Sequence, residues 1–209
     1  MTRVGLLDSG VAANLAADVK ASRTFVDAPA PDPRGHGSAI ASIILQHAPG
    51  AALIDAQVFA ERQRTTPDAV AAGLDWLRAE GAKVVNMSLG LRHDRAALRD
   101  AVARAVAAGV VLVAAAPARG STVYPGGYPG VIRVSGDARC APGEISALGG
   151  VPADYGACPH DAAGRHGGAS FATAHLTGLL VRHLDAIDRN PRALLDRLAR
   201  FHGRERRLA

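Results

Sequence analysis

The sequence predicts an α/β domain, with a doubly wound, mostly parallel sheet and helices on both faces, and three observations lead there. Apolar runs of strand length alternate with stretches of helical period. Glycine or proline punctuates the boundaries between them. The 209 residues, 48% of them hydrophobic, suit one minimal domain over residues 1–209 and leave little room for a second.

Val4 to Leu7 is the first apolar run, and Asp8-Ser9-Gly10 turns the chain after it. A small-residue helix is expected from His36 through Ile44, able to pack closely on a sheet. Leu53 to Val58 reads as a strand. Pro67 to Glu80 then places Val70, Leu74 and Leu77 at helical spacing, with Pro67-Asp68 near its start and Gly81 as its stop. Val84 to Met87 and Val110 to Ala115 read as strands flanking a helix from Asp94 to Ala108, and Val131 to Val134 as a further strand. From Gly120 to Gly168 the chain is rich in glycine and proline, as expected of loops shaping a cleft. Two helices are expected at the end, roughly Ser170 to Ile187 and Pro191 to Phe201. In such a sheet, functional groups collect at the carboxyl ends of the strands.

Composition excludes several classes. No apolar stretch approaches the length of a membrane span, and the first residues lack the pattern of a secretory signal, so a cytoplasmic protein without membrane partners is expected. The net charge of +5 lies largely in the tail residues Arg200, Arg204, Arg206 and Arg207, without interleaved aromatics; a solvated tail is expected and no nucleic-acid partner. Cys140 and Cys158 are too few for a disulfide framework and read as buried or half-buried free thiols. No metal site and no cofactor is expected, and no Gly-x-Gly-x-x-Gly or P-loop pattern follows any strand.

Three short motifs carry chemistry. Asp8, after a strand and before Ser9-Gly10, places a carboxylate at a strand's carboxyl end, although by itself it reads equally as a turn former or helix cap. His36, between Gly35 and Gly37, sits at the first turn of a helix whose dipole disfavours imidazolium; alone it also reads as a loop histidine. Ser170, in Gly167-Gly168-Ala169-Ser170-Phe171-Ala172, heads an apolar helix where its N–H is free to meet an anion, half of an oxyanion hole. Its plainer reading is an N-cap serine.

Taken in order, these segments resemble the subtilisin family of serine proteases across nearly the whole chain. Val4 to Gly10 resembles its aspartate motif, Gly35-His36-Gly37-Ser38 its histidine motif, and Gly168 to Ala172 its serine motif. Val84 to Gly90, Val111 to Ala116 and Tyr124 to Ile132 resemble further family segments in the same order. The resemblance implies that Ser170 is the nucleophile, His36 its general base and Asp8 the group that orients the imidazole. It implies that Ser88-Leu89-Gly90 receives the substrate backbone as an added strand, and that Ala115-Ala116-Pro117 forms one wall of the pocket for the residue before the scissile bond. Read from the residues alone, Leu89 and the alanines are ordinary packing.

The chain also departs from the family pattern. Ala118, followed by Arg119, stands where the family has an asparagine that donates to the oxyanion, and Ala169 where it has a threonine. Ala39 replaces a second histidine, and Ile44 to Gly50 runs on directly where many relatives insert a calcium loop. The aspartate strand begins at Val4, so no propeptide is expected. With Ser170 as the remaining donor and Arg119 or Ser121 as candidate replacements, Arg119 reading more plainly as an exposed loop residue, the expectation is a slow, narrow maturation protease. It would remove a leader peptide from one dedicated peptide or protein partner. A catalytically silent module that escorts a peptide is the alternative.

Overall fold

The computed structural model describes residues 1–27, 32, 34–60, 64–161, 163–164, 167–183 and 190–204. Nine strands form one sheet in the order β2-β3-β1-β4-β5-β6-β8-β7-β9, parallel at every pairing except β7 with β8. The strands are β1 (Arg3–Asp8), β2 (Val19–Thr24), β3 (Ala52–Gln57), β4 (Val84–Met87), β5 (Val111–Ala115), β6 (Ile132–Gly136), β7 (Ile145–Ala147), β8 (Tyr155–Ala157) and β9 (Ala199–His202). The helices are α1 (His36–His47), α2 (Pro67–Ala79), α3 (Ala96–Ala107), α4 (Ala169–Arg182) and α5 (Pro191–Leu198).

β3 and β4 are buried at every position, as a strand covered on both faces must be. Ile40, Ile43 and Ile44 of α1 and Leu176 and Leu180 of α4 pack on one face of the sheet; Leu74 and Leu77 of α2 and Leu98 and Val102 of α3 pack on the other. Each such side chain, buried completely, contributes about 1.5–3 kcal/mol. Thr66 caps α2, its hydroxyl accepting from the Ala69 N–H at 3.1 Å ahead of Pro67, and Asn190 caps α5 in the same way.

The chain leaves β1 toward β3 and β2 on one side and crosses to β4 on the other, so the sheet's switch point lies between β1 and β4. In open α/β sheets the crevice beyond the carboxyl ends of such strands is where ligands sit. Asp8 ends β1 and Ser88-Leu89-Gly90 follows β4.

Three expectations need correction. The last helix stops at Leu198, and Ala199–His202 instead pairs in parallel with β7, covering an edge of the sheet. The third helix begins at Ala96 rather than Asp94, because the Asp94 carboxylate holds Arg99 and accepts from the Tyr128 hydroxyl at 2.8 Å. The described part of the tail is not merely solvated: Arg200 pairs with Glu144, while Arg204 donates to the carbonyls of Ala118 at 2.8 Å and Val151 at 2.7 Å. Arg206 and Arg207 lie outside the described residues, as does the expected helical stretch through Ile187, with α4 described to Arg182. Cys140 and Cys158 are both buried free thiols, and burial pushes the Cys140 thiol up to about 11.

Candidate active site

Backbone geometry first decides how near Asp8 and His36 can come. A β-carbon on Gly37 would lie 2.1 Å from the Gly10 carbonyl oxygen, so only glycine lets the first turn of α1 rest on the turn that follows β1. That contact brings His36 Nδ1 to 2.7 Å from Asp8 Oδ1. The Asp8 side chain is 2% exposed and the imidazole 25%, so the pair is closed on the carboxylate side and open on the other. With Nδ1–H donating to the carboxylate, the neutral ring leaves its Nε2 lone pair for a substrate-side proton.

The same Asp8 oxygen accepts from the Ser9 N–H at 2.7 Å, while Asp8 Oδ2 is buried and has no hydrogen-bond partner among the described residues. The Ser9 hydroxyl lies 3.1 Å from Asp8 Oδ1 and 2.8 Å from Asp32 Oδ1, and its single proton serves one at a time.

Asp32 is not apparent from the sequence, since it stands three residues ahead of the N-cap Gly35, outside the position where a capping aspartate is expected. Its carboxylate accepts from the Gly37 N–H at 3.2 Å and the Ser38 N–H at 2.8 Å, taking up the free donors of α1 where the N-cap, Gly35, has no side chain. Burial alone would lower the His36 pKa, but the Asp8 hydrogen bond and charge together with the Asp32 charge leave it above the ordinary 6.5. Replacing Asp32 by asparagine removes one of these charges. The acidic limb of the kcat/KM profile, which reports deprotonation of His36, therefore moves to lower pH in Asp32→Asn. A limb that stays in place or moves upward would show that Asp32 exerts no field on the ring.

Ser170 occupies the second position of α4, where a backbone N–H has no partner within the helix. Its hydroxyl donates to the Ser88 carbonyl at 3.4 Å rather than to His36. Both side chains nevertheless line one cleft of about 660 Å³, together with Asp8 and Ser88-Leu89-Gly90. The helices that carry them are locked behind it: Gly178 allows an approach in which its β-carbon would lie 2.8 Å from the His47 Cβ, and His47 Nε2 lies 2.7 Å from His175 Nδ1. Burial, with the His175 and Arg182 charges, holds His47 down at about 4.

Ala118 and Arg119 do not line that cleft. They are exposed and border a separate pocket of about 280 Å³ with Ser135, Gly136, Asp137 and Arg204. Ala115 and Ala116 are buried and Pro117 is half-buried at the end of β5. The far side of the cleft was missing from the sequence reading altogether: Phe59, Arg64, Thr65, Thr66 and Leu91 line it, and nothing local marks a residue just past a strand as facing one. Val123 packs behind the cleft residue Gly90. Leu91 is bridged to Tyr124, and Val123 Cγ2 lies where a β-carbon on Gly90 would be 2.8 Å away.

A family model described as Peptidase_S8, subtilase family, matches residues 2–195. Subtilisin DY of Bacillus licheniformis is 31% identical over 204 residues, covering 84% of this chain and 74% of its own length. Subtilisin BL of Lederbergia lenta is 31% identical over 145 residues, 63% of this chain, and the chain spans about half of that relative, 54%. Among solved structures, the protease domain of PatA superposes with a TM-score of 0.67 at 23% identity, covering 91% of this chain and 82% of that one. A lanthipeptide protease superposes with a TM-score of 0.68 at 19% identity, covering 90% and 75%. At these identities the two structural likenesses bear on the fold.

Proposed function

Because this chain belongs to the subtilase family and is a subtilisin-like serine protease, we propose that it cleaves peptide bonds through Ser170, His36 and Asp8. The observation that carries this is the buried Asp8 carboxylate hydrogen-bonded to His36 Nδ1 in a cleft that Ser170 also lines. In this reaction the Ser170 hydroxyl turns from the Ser88 carbonyl toward the imidazole. Ser170 Oγ then attacks the scissile carbonyl as His36 Nε2 takes its proton, Asp8 stabilises the imidazolium, and the proton is returned to the leaving amine. The free Ser170 N–H meets the developing oxyanion at the positive end of α4.

Among the described residues Leu89 and Gly90 enter no backbone hydrogen bond, which suits a strand edge that receives an extended peptide. On this reading the side chain before the scissile bond points between that edge and Ala115-Ala116-Pro117. Val123 fills part of the space against Gly90, so a small side chain is favoured there.

We infer a narrow maturation role, acting on one dedicated partner from which a leader peptide is removed. Weak oxyanion stabilisation supports it, as does the likeness in fold to a lanthipeptide protease. Small family members that trim leader peptides, including the one that matures the small subunit of quinohemoprotein amine dehydrogenase, offer a parallel in size. A cytoplasmic setting belongs to the same proposal; among the described residues no helix is long and apolar enough to cross a membrane.

Peptidyl phosphonate probes test the site. Ser170 is expected to be labelled far faster than any surface serine, and a probe with an alanine-like side chain beside the phosphorus faster than one with a phenylalanine-like side chain. Labelling no faster than at a surface serine would favour the silent peptide-binding module instead.

A further inference from the structure

The cleft that Ser170 lines holds, on another part of its wall, a charge that the chemistry of cleavage does not use. Arg64 lines it, is exposed, and its guanidinium has no hydrogen bond or ion pair among the described residues. Only its backbone is engaged, the Arg64 carbonyl accepting from the Ala60 N–H at 3.1 Å. This sets it apart from arginines already paired to carboxylates, such as Arg99, Arg104, Arg133 and Arg139. The adjoining Thr65 lines the same wall, and its hydroxyl is buried without a partner among the described residues. A native fold seldom leaves a buried donor unused.

The next residue, Thr66, is the N-cap of α2, so the positive end of a 13-residue helix points to the same place. Two carboxylates oppose this field. Asp68 in the first turn of α2 is exposed and offsets part of the helix end. Asp8, across the cleft, already accepts from Ser9 and His36. Phe59, Leu89 and Leu91 complete the surroundings and supply an apolar bed.

From this arrangement we propose that the cleft selects peptides carrying an aspartate or glutamate on the amino-terminal side of the scissile bond, with the carboxylate bound by Arg64. The inference rests on the peptide-cleaving reading of the site and adds a substrate class to it. An extended peptide on the Ser88-Leu89-Gly90 edge turns alternate side chains toward each wall, and the one above Leu89 and Leu91 meets the guanidinium. Because Arg64 is exposed, the pair sits in high dielectric and the preference is modest, about two- to fivefold. Added salt weakens it.

Quenched-fluorescent octapeptides test this, with glutamate, glutamine or lysine fixed in turn at each of the positions preceding the cleaved bond and mixtures elsewhere. At one of those positions the wild-type protein is expected to turn over glutamate peptides about two- to fivefold faster in kcat/KM than glutamine peptides at low salt. Arg64→Ala is expected to equalise the two, and Arg64→Glu to favour lysine. Phosphonate labelling of Ser170 in the wild-type protein reports separately on the peptidase reading. Where nothing is turned over, binding of the same peptides to Ser170→Ala protein reads the same ratios. Equal handling of glutamate and glutamine by the wild-type protein at every position, or a preference that survives in Arg64→Ala, overturns the inference.

Discussion

Ser170→Ala and His36→Ala are each expected to reduce peptide cleavage by at least about 10⁴-fold, a magnitude general to serine-protease triads rather than one set by this geometry. Ser170→Ala removes the proposed nucleophile and His36→Ala its proposed base, so combining the two costs little more than either alone. Asp8→Asn is expected to cost less. Asp8 Oδ1 accepts both the Ser9 N–H and His36 Nδ1, so an asparagine oxygen held by Ser9 can keep the imidazole in its working tautomer while the negative charge is lost. What then disappears is stabilisation of the imidazolium, and the acidic limb of the pH profile moves down with it. Circular dichroism and melting temperature should show Ser170→Ala folded as the wild type. Full residual cleavage in that variant would remove Ser170 from its role, and an Asp8→Asn loss equal to that of His36→Ala would show that the tautomer was not retained.

The legible parts of this fold are those that burial writes into composition. β1, β3, β4, β5 and β6 lie inside the sheet and read as mainly apolar runs, broken at Asp55, Gln57, Asn86 and Arg133, and the helices between them declare their inner faces by spacing. β2 lies at an edge and is mostly exposed, so Val19-Lys20-Ala21-Ser22-Arg23-Thr24 carries no such run. β7 and β8 are three residues each, too short to show a period, and β9 continues a helical pattern from Leu195 until pairing with β7 takes over. The site divides along the same line. Asp8, His36 and Ser170 stand at element ends beside glycines, where the chain must turn, and were visible for that reason. Asp32, Arg64 and Val123 take their roles from how the backbone folds around them: Asp32 turns back onto the N-terminus of α1 and meets Ser9, Arg64 faces the open cleft, and Val123 packs on Gly90. No local pattern encodes those neighbours.

Ala118→Asn is expected to raise kcat on a small ester or peptide substrate while leaving KM nearly unchanged. A side-chain N–H aimed at the oxyanion binds the transition state more strongly than the ground-state carbonyl, and one such donor is worth about 10²–10³-fold where the geometry is right. Here Ser170 N–H is the donor that the geometry offers, since Ala169 and Ala118 bring only methyl groups. The gain is expected to fall short of that range, because Ala118 is exposed and borders the neighbouring pocket, and an ångström of misplacement costs much of the effect. The loop is not free to adjust: Arg204 donates to the Ala118 carbonyl at 2.8 Å and ties it to the Val151 carbonyl. Adding Arg204→Ala to Ala118→Asn therefore changes the gain, upward where the tether holds the new amide off target and downward where it holds it in place. Steady-state kinetics on the single and double variants separate the two cases. Unchanged turnover in Ala118→Asn together with its collapse in Arg119→Ala would show the oxyanion position to be filled already by Arg119, and the weakened site argued from Ala118 would not exist.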